Sequence, residues 1–165
     1  MLMLPRIAFV VLLVLVVAVI VGTSGALPDR VASHFGHGGV VNGSMSRDGY
    51  VAFMLAFTIL LPTFVVAMIG WLPRMTGTGG GIPNADYWFA PARREASNAR
   101  LMSYACLFGC IVLFFLGGLH LVILDANART PAQMSEPAFF SMLAVFLVGI
   151  ASLIARMQCV FRRPR

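Results

Sequence analysis

The side chains suited to chemistry in this sequence are few: three histidines, a handful of acids and three cysteines. His34 and His37 share a glycine-rich stretch that begins near Asp29, and His120 and Asp125 close a long apolar run. Imidazoles with a carboxylate can ligate zinc or a similar divalent cation, so convergence of His34, His37 and His120 would give a metal site. The simpler reading is that His34 caps or hydrogen-bonds its own loop, in which case His34→Ala destabilises that loop. pH sensing and partner binding are further uses of an imidazole there. No metal or cofactor is expected on this reading. Cys106 and Cys110 stand four apart, too wide for a CxxC redox pair, and a disulfide would strain the helix. They read as small apolar packing residues, and Cys159 as a free thiol. The run Gly77-Thr78-Gly79-Gly80-Gly81 lacks the GK[ST] of a phosphate loop and reads as a flexible linker. No HExxH and no serine with a partner base is present, so no catalysis is expected.

The elements that must carry these residues are set by composition. Of 165 residues, 59% are hydrophobic and 11% charged, and the mean hydropathy is +0.89. Soluble domains carry about 25% charged residues. Lipid is therefore the better solvent for this chain. A spanning helix needs about 20 apolar residues, and four segments qualify: Pro5–Val21, Val51–Trp71, Leu101–Leu124 and Pro137–Ala155. The predicted fold is an all-α membrane protein, a four-helix bundle forming one integral membrane domain over 1–165. None of the four runs holds an internal carboxylate, which argues against a proton- or sodium-coupled carrier. The net charge of +6 comes without a basic stripe carrying interleaved aromatics, so no nucleic-acid partner is expected.

Charge sets the orientation. The N-terminus, the loop 72–100 and the C-terminal tail hold nine arginines against Asp86 and Glu95. The loops 22–50 and 125–136 hold three arginines against four acids. The arginine-rich set belongs in the cytoplasm, giving an N-in/C-in protein of the bacterial inner membrane. An alternative for the first segment is a secretory signal cleaved after Ala26.

Within the spans, Pro62 cannot donate to the Thr58 carbonyl, so a kink is expected that Thr58 or Thr63 helps to satisfy. Ser103, Cys106, Cys110 and Gly117, with Ala151 and Ala155, are small residues that let helices approach closely, within the bundle or in a homo-oligomer. The outer loop is expected to be ordered. Pro28 and Asp29 start a short helix through His34 with Val31 and Phe35 on one face, and Asp48 caps the second span. In the inner loop Tyr87, Trp88 and Phe89 suit the headgroup zone, and Pro91 opens a cytoplasmic interfacial helix whose Arg93, Arg94 and Arg100 meet lipid phosphates.

LPDRVASHFG followed by GxxNGxMSR ahead of a span resembles the bacterial domain-of-unknown-function family 1648, which also forms the N-terminal part of the SdpI-type immunity proteins. IPNADYWFAPARRE is similar to that family's inner loop, and HLVILDAN fits the end of its third span. The resemblance runs over roughly residues 27–127. It implies family positions at Pro28, His34, Phe35, Gly39 and Gly43 outside and at Asn84, Trp88, Pro91 and Arg94 inside. The chain lacks the additional C-terminal spans of the full immunity proteins. The functional expectation is a non-enzymatic membrane protein that binds another membrane protein or a membrane-active peptide, in an immunity-like or signalling role. The alternatives are a structural accessory subunit of a larger complex and, less favoured, a small-solute transporter.

Overall fold

The computed structural model describes residues 3–76 and 81–162, so most of the expected glycine linker, Gly77–Gly80, lies outside the described residues. The predicted spans appear as four long helices, each longer than its apolar run: α1 Leu4–Thr23, α2 Arg47–Thr76, α4 Arg94–Ala128 and α5 Glu136–Phe161. All four are long and apolar enough to cross a membrane. A one-turn helix, α3 (Ala85–Trp88), precedes α4. The polar flanks join the helices because helical hydrogen bonding continues beyond the hydrocarbon. At 1.5 Å per residue, the 35 residues of α4 reach about 52 Å, well beyond the ~30 Å apolar core of a bilayer. This length corrects one expectation: Arg94 and Arg100 lie on the first two turns of α4 itself, not on a separate interfacial helix opened by Pro91.

The second correction concerns the segment between α1 and α2. In place of a short helix from Pro28 to His34 there is a strand, β1 (Arg30–Phe35), antiparallel to β2 (Val41–Ser46). The fold is thus not purely helical. Along β2 the half-buried Val41, Gly43 and Met45 alternate with exposed Asn42, Ser44 and Ser46, the period-two pattern of a strand with one face covered. The helix N-terminus also differs from expectation. Ser46 Oγ, not Asp48, accepts from the third residue on, the Gly49 amide, at 3.2 Å.

α4 is the hub. It packs along α1 and α2, which touch each other less, and α5 leans mainly on α4. The buried stripe of α2 is Tyr50, Met54, Thr58 and Pro62, one residue per turn. At Gly109 of α4 an added Cβ would sit 2.6 Å from Phe9 and 2.7 Å from Val66, so this glycine sets how closely α1 and α2 approach. Among the predicted small residues, Cys106 joins this core and Gly117 lies against Val16. Ala151 and Ala155 do not: both are exposed on the side of α5 away from the bundle. α2 runs as one helix through Pro62 and Pro73. The Thr58 hydroxyl is fully buried without a hydrogen-bond partner, so it does not compensate the proline as expected.

Large apolar side chains such as Val14, Leu60, Phe64, Phe114, Val145 and Val148 stay exposed around the bundle. Water does not wet such a belt without penalty, whereas lipid tails solvate it at no cost. The molecule is a multi-pass membrane protein.

Candidate functional site

Two ends of the bundle carry its polar order. At the hairpin end, His120 is fully buried between α1, α2 and α4. Thr23 Oγ1 donates to the Val19 carbonyl at 2.7 Å, so it accepts from His120 Nε2, also at 2.7 Å. Nδ1 is then the acceptor, and the buried Tyr50 hydroxyl donates to it at 3.0 Å. The chain of bonds fixes one neutral tautomer and joins three helices at a single imidazole. Buried polar groups satisfied in this way fix the register of the elements they join, because an unmet partner in an apolar interior costs about twice what a made bond contributes.

Seven residues further along the same face of α4 stands Asn127. Its Oδ1 accepts from the Ala32 amide at 2.8 Å, and its Nδ2 donates to the carbonyls of Ala32 and Ile123, both at 2.9 Å. The carboxamide thus acts as one residue of a neighbouring strand, and it holds the free edge of β1. Neither Asn127 nor Tyr50 was singled out from sequence. The signal was present in HLVILDAN, where a histidine and an asparagine two turns apart share a helix face.

The hairpin tip is clamped by the α4–α5 connection. Glu136 accepts from the Gly38 amide at 2.7 Å, Gln133 donates to the Gly38 carbonyl at 3.0 Å, and Met134 N–H donates to the Gly39 carbonyl at 3.0 Å. Gly39 has φ of +69° and faces the Met134 carbonyl so closely that no side chain fits. The family positions at this end therefore divide by role. Gly39 is a docking point, Gly43 leaves room for the His34 side chain, and Phe35 packs against the core, whereas Pro28 is exposed.

His34 and His37 are exposed on the hairpin, and both nitrogens of His120 are already engaged in the interior. The three imidazoles do not converge. Among the described residues no group of three His, Cys, Asp or Glu side chains is placed to hold a metal ion. No hydrogen bond within the described residues ties the His34 ring to the loop, against the capping role expected for it. His34→Ala should shift stability by no more than about 0.5 kcal/mol, the range of ordinary surface changes. Thermal denaturation in mild detergent checks this, and a larger loss would restore a structural role.

At the opposite end, Asn84 adopts a left-handed conformation with φ of +55°. Its Nδ2 donates to the carbonyls of Phe161 and Arg162 at 3.3 and 3.2 Å. Trp88 Nε1 donates to the same Phe161 carbonyl at 2.7 Å, and its ring meets Phe161 edge-on. These bonds satisfy carbonyls that the C-terminus of α5 leaves without helical partners. Pro91 is exposed in the turn that follows. Arg93 stacks on Tyr87 at 3.8 Å and donates to the Tyr87 carbonyl, and Arg94 donates to the Phe89 carbonyl. Both guanidinium groups thus brace the loop they belong to. Arg100 differs, lying over Trp88 at 5.5 Å and lining a cavity of about 760 Å³ with Tyr104, Arg156 and Cys159.

Residues 9–60, from Phe9 in α1 through the hairpin to Leu60 in α2, match the model of a domain of unknown function (DUF1648). The match covers most of α1, the whole hairpin and the first half of α2. The match contains Pro28, His34, Phe35, Gly39 and Gly43, together with Thr23 and Tyr50 of the imidazole network. The inner-loop positions, HLVILDAN and α5 fall outside it. The matched segment therefore holds the hairpin with Thr23 and Tyr50, and α4 supplies the imidazole and the Asn127 clamp. No curated protein and no solved structure matches the chain.

Proposed function

We propose that this chain is a non-enzymatic protein of the bacterial inner membrane that binds a partner through its hairpin end. The partner is another membrane protein or a membrane-active peptide, and the specific version is an immunity-like or signalling role. Both termini lie in the cytoplasm on this reading, following the arginine asymmetry, and the hairpin faces outward. The observation that supports it most is the open edge of β2. The hairpin is held at Ala32 and at its tip, yet among the described residues β2 pairs only with β1. An ordered, unpaired edge bearing Asn42, Ser44 and Ser46 accepts an extended segment as an added strand.

A second reading, the accessory subunit, draws support from α5. None of its most apolar 18-residue window is buried within the chain, which leaves a full helix face for a larger assembly or for a second copy. Photo-crosslinkers at Ser44 and at Val148 in native membranes separate the readings. Capture of a discrete protein or peptide at Ser44, abolished by an edge-blocking Ser44→Pro change, supports the first. A stoichiometric product at Val148 alone supports the second, and its mass tells a homo-oligomer from a foreign subunit. Absence of any product at either position would count against both.

A further inference from the structure

Two cavities meet along α4 and α5. One is an apolar groove of about 510 Å³ whose walls include Leu12 of α1, Phe114 and Phe115 of α4, and Met142, Phe146 and Gly149 of α5. The other is the cavity of Arg100, Arg156, Tyr104 and Trp88 at the end of the bundle. Leu107 and Arg156 line both, so the two adjoin at these side chains. From Met142 to Arg156 the groove follows fourteen residues of α5, about 21 Å at 1.5 Å each. That exceeds the ~15 Å of one hydrocarbon leaflet, so an acyl chain entering from the arginine end can lie along the groove for its whole depth.

We infer that this paired cavity is a binding site for an anionic glycerophospholipid, with one acyl chain in the groove and the phosphate between Arg100 and Arg156. Charge complementarity identifies the occupant. Among the described residues the ion pairs are Asp29–Arg47 and Asp125–Arg129, both at the hairpin end, so no carboxylate neutralises Arg100 or Arg156. The guanidinium of Arg100 is steadied over the Trp88 ring, and Trp88 is itself fixed by the Phe161 carbonyl. Guanidinium groups match phosphate oxygens in pairs, and Trp and Tyr beside them belong at headgroup level. An apolar slot that ends in two free cations and interfacial aromatics fits a two-part ligand, anionic at one end and hydrocarbon at the other. The site involves neither the hairpin nor the open β2 edge, so it stands independently of the proposed function.

The test is lipid retention. The purified full chain is exposed to equimolar phosphatidylglycerol and phosphatidylcholine in mild detergent and weighed by native mass spectrometry. The wild type should retain the anionic lipid in about tenfold excess, the order of magnitude expected when two arginines face a headgroup of net charge −1 rather than a zwitterion whose choline offsets its phosphate. Arg100→Gln combined with Arg156→Gln should bring the ratio to about one, whereas Arg129→Gln at the hairpin end should leave it unchanged. Gly149→Leu should fill the groove and cut retention of both lipids. A Cβ at Gly149 meets Ile111 no nearer than 3.6 Å, an ordinary contact, so the backbone there accepts a side chain; an unchanged denaturation midpoint confirms that the fold is kept. Equal retention by the wild type would overturn the inference, as would enrichment that survives the double substitution. Displacement by inorganic phosphate at the same concentration would show a free phosphate site instead, and a dimer that dissociates on Gly149→Leu would show that a second copy fills the groove.

Discussion

Asn127→Leu is expected to release the hairpin from the bundle and to lower stability by about 2–4 kcal/mol. The substitution removes three hydrogen bonds at 2.8–2.9 Å. It also leaves the amide and carbonyl of Ala32, a residue 5% exposed, facing an apolar side chain. Each buried polar group stripped of its partner costs about 1–3 kcal/mol. Asn127→Asp separates pairing from packing. It preserves volume and keeps an acceptor for the Ala32 amide, but sets a second oxygen against the Ala32 carbonyl. If the amide pairing matters, both variants should expose the hairpin to protease and lower the denaturation midpoint by several degrees. Tolerance of Asn127→Asp at wild-type stability would refute that account.

Gly39→Ala should be at least as damaging, by about 3–5 kcal/mol. The residue combines a backbone angle that side-chain-bearing residues rarely adopt with direct contact to the Met134 carbonyl. The alanine methyl cannot enter without lifting the tip away from the α4–α5 connection. That movement breaks the bonds from Gly38 to Glu136 and Gln133 as well. Gly38→Ala is the matched comparison. Gly38 also has positive φ, +73°, but the nearest atom to an added Cβ, a Val40 methyl, lies 3.9 Å away, so only the conformational cost of about 1–2 kcal/mol applies. Equal midpoints for the two variants would show that the contact with Met134 carries no weight.

The four spans were legible because hydrophobic run length is a global quantity that tertiary context does not change. Their ends were not, since Arg47–Tyr50 and Arg94–Arg100 are helical without being apolar. The hairpin was misread for a specific reason. Val31 and Phe35 are four apart, and residues at that spacing share a face on a helix and on a strand alike. Val41 and Met45 repeat the same spacing, so the alternation of Val41–Ser46 shows only in the burial of the folded strand. The site divided in the same way. The glycines at 39 and 43 were found through their motif, whereas the roles of Tyr50, Thr23 and His120 depend on three helices meeting. No local pattern reports such a meeting. His34 attracted notice because an exposed imidazole looks chemical, yet the imidazole that organises this end of the molecule is the buried one.

The position of α4 as hub has a consequence for synthesis. The helix against which α1, α2 and α5 all pack is the third long helix to leave the ribosome. Until it arrives, Tyr50 and Thr23 lack their common partner, the edge of β1 lacks its clamp, and the stripe from Tyr50 to Pro62 has little to pack against. On their own, α1 and α2 touch each other less than either touches α4, so the polar partners His120 and Asn127 and most of the packing surface come with the third long helix. The order of synthesis thus leaves Thr23, Tyr50 and the edge of β1 with unmet polar groups until α4 is made, and those groups are costly to leave unpaired in an apolar medium.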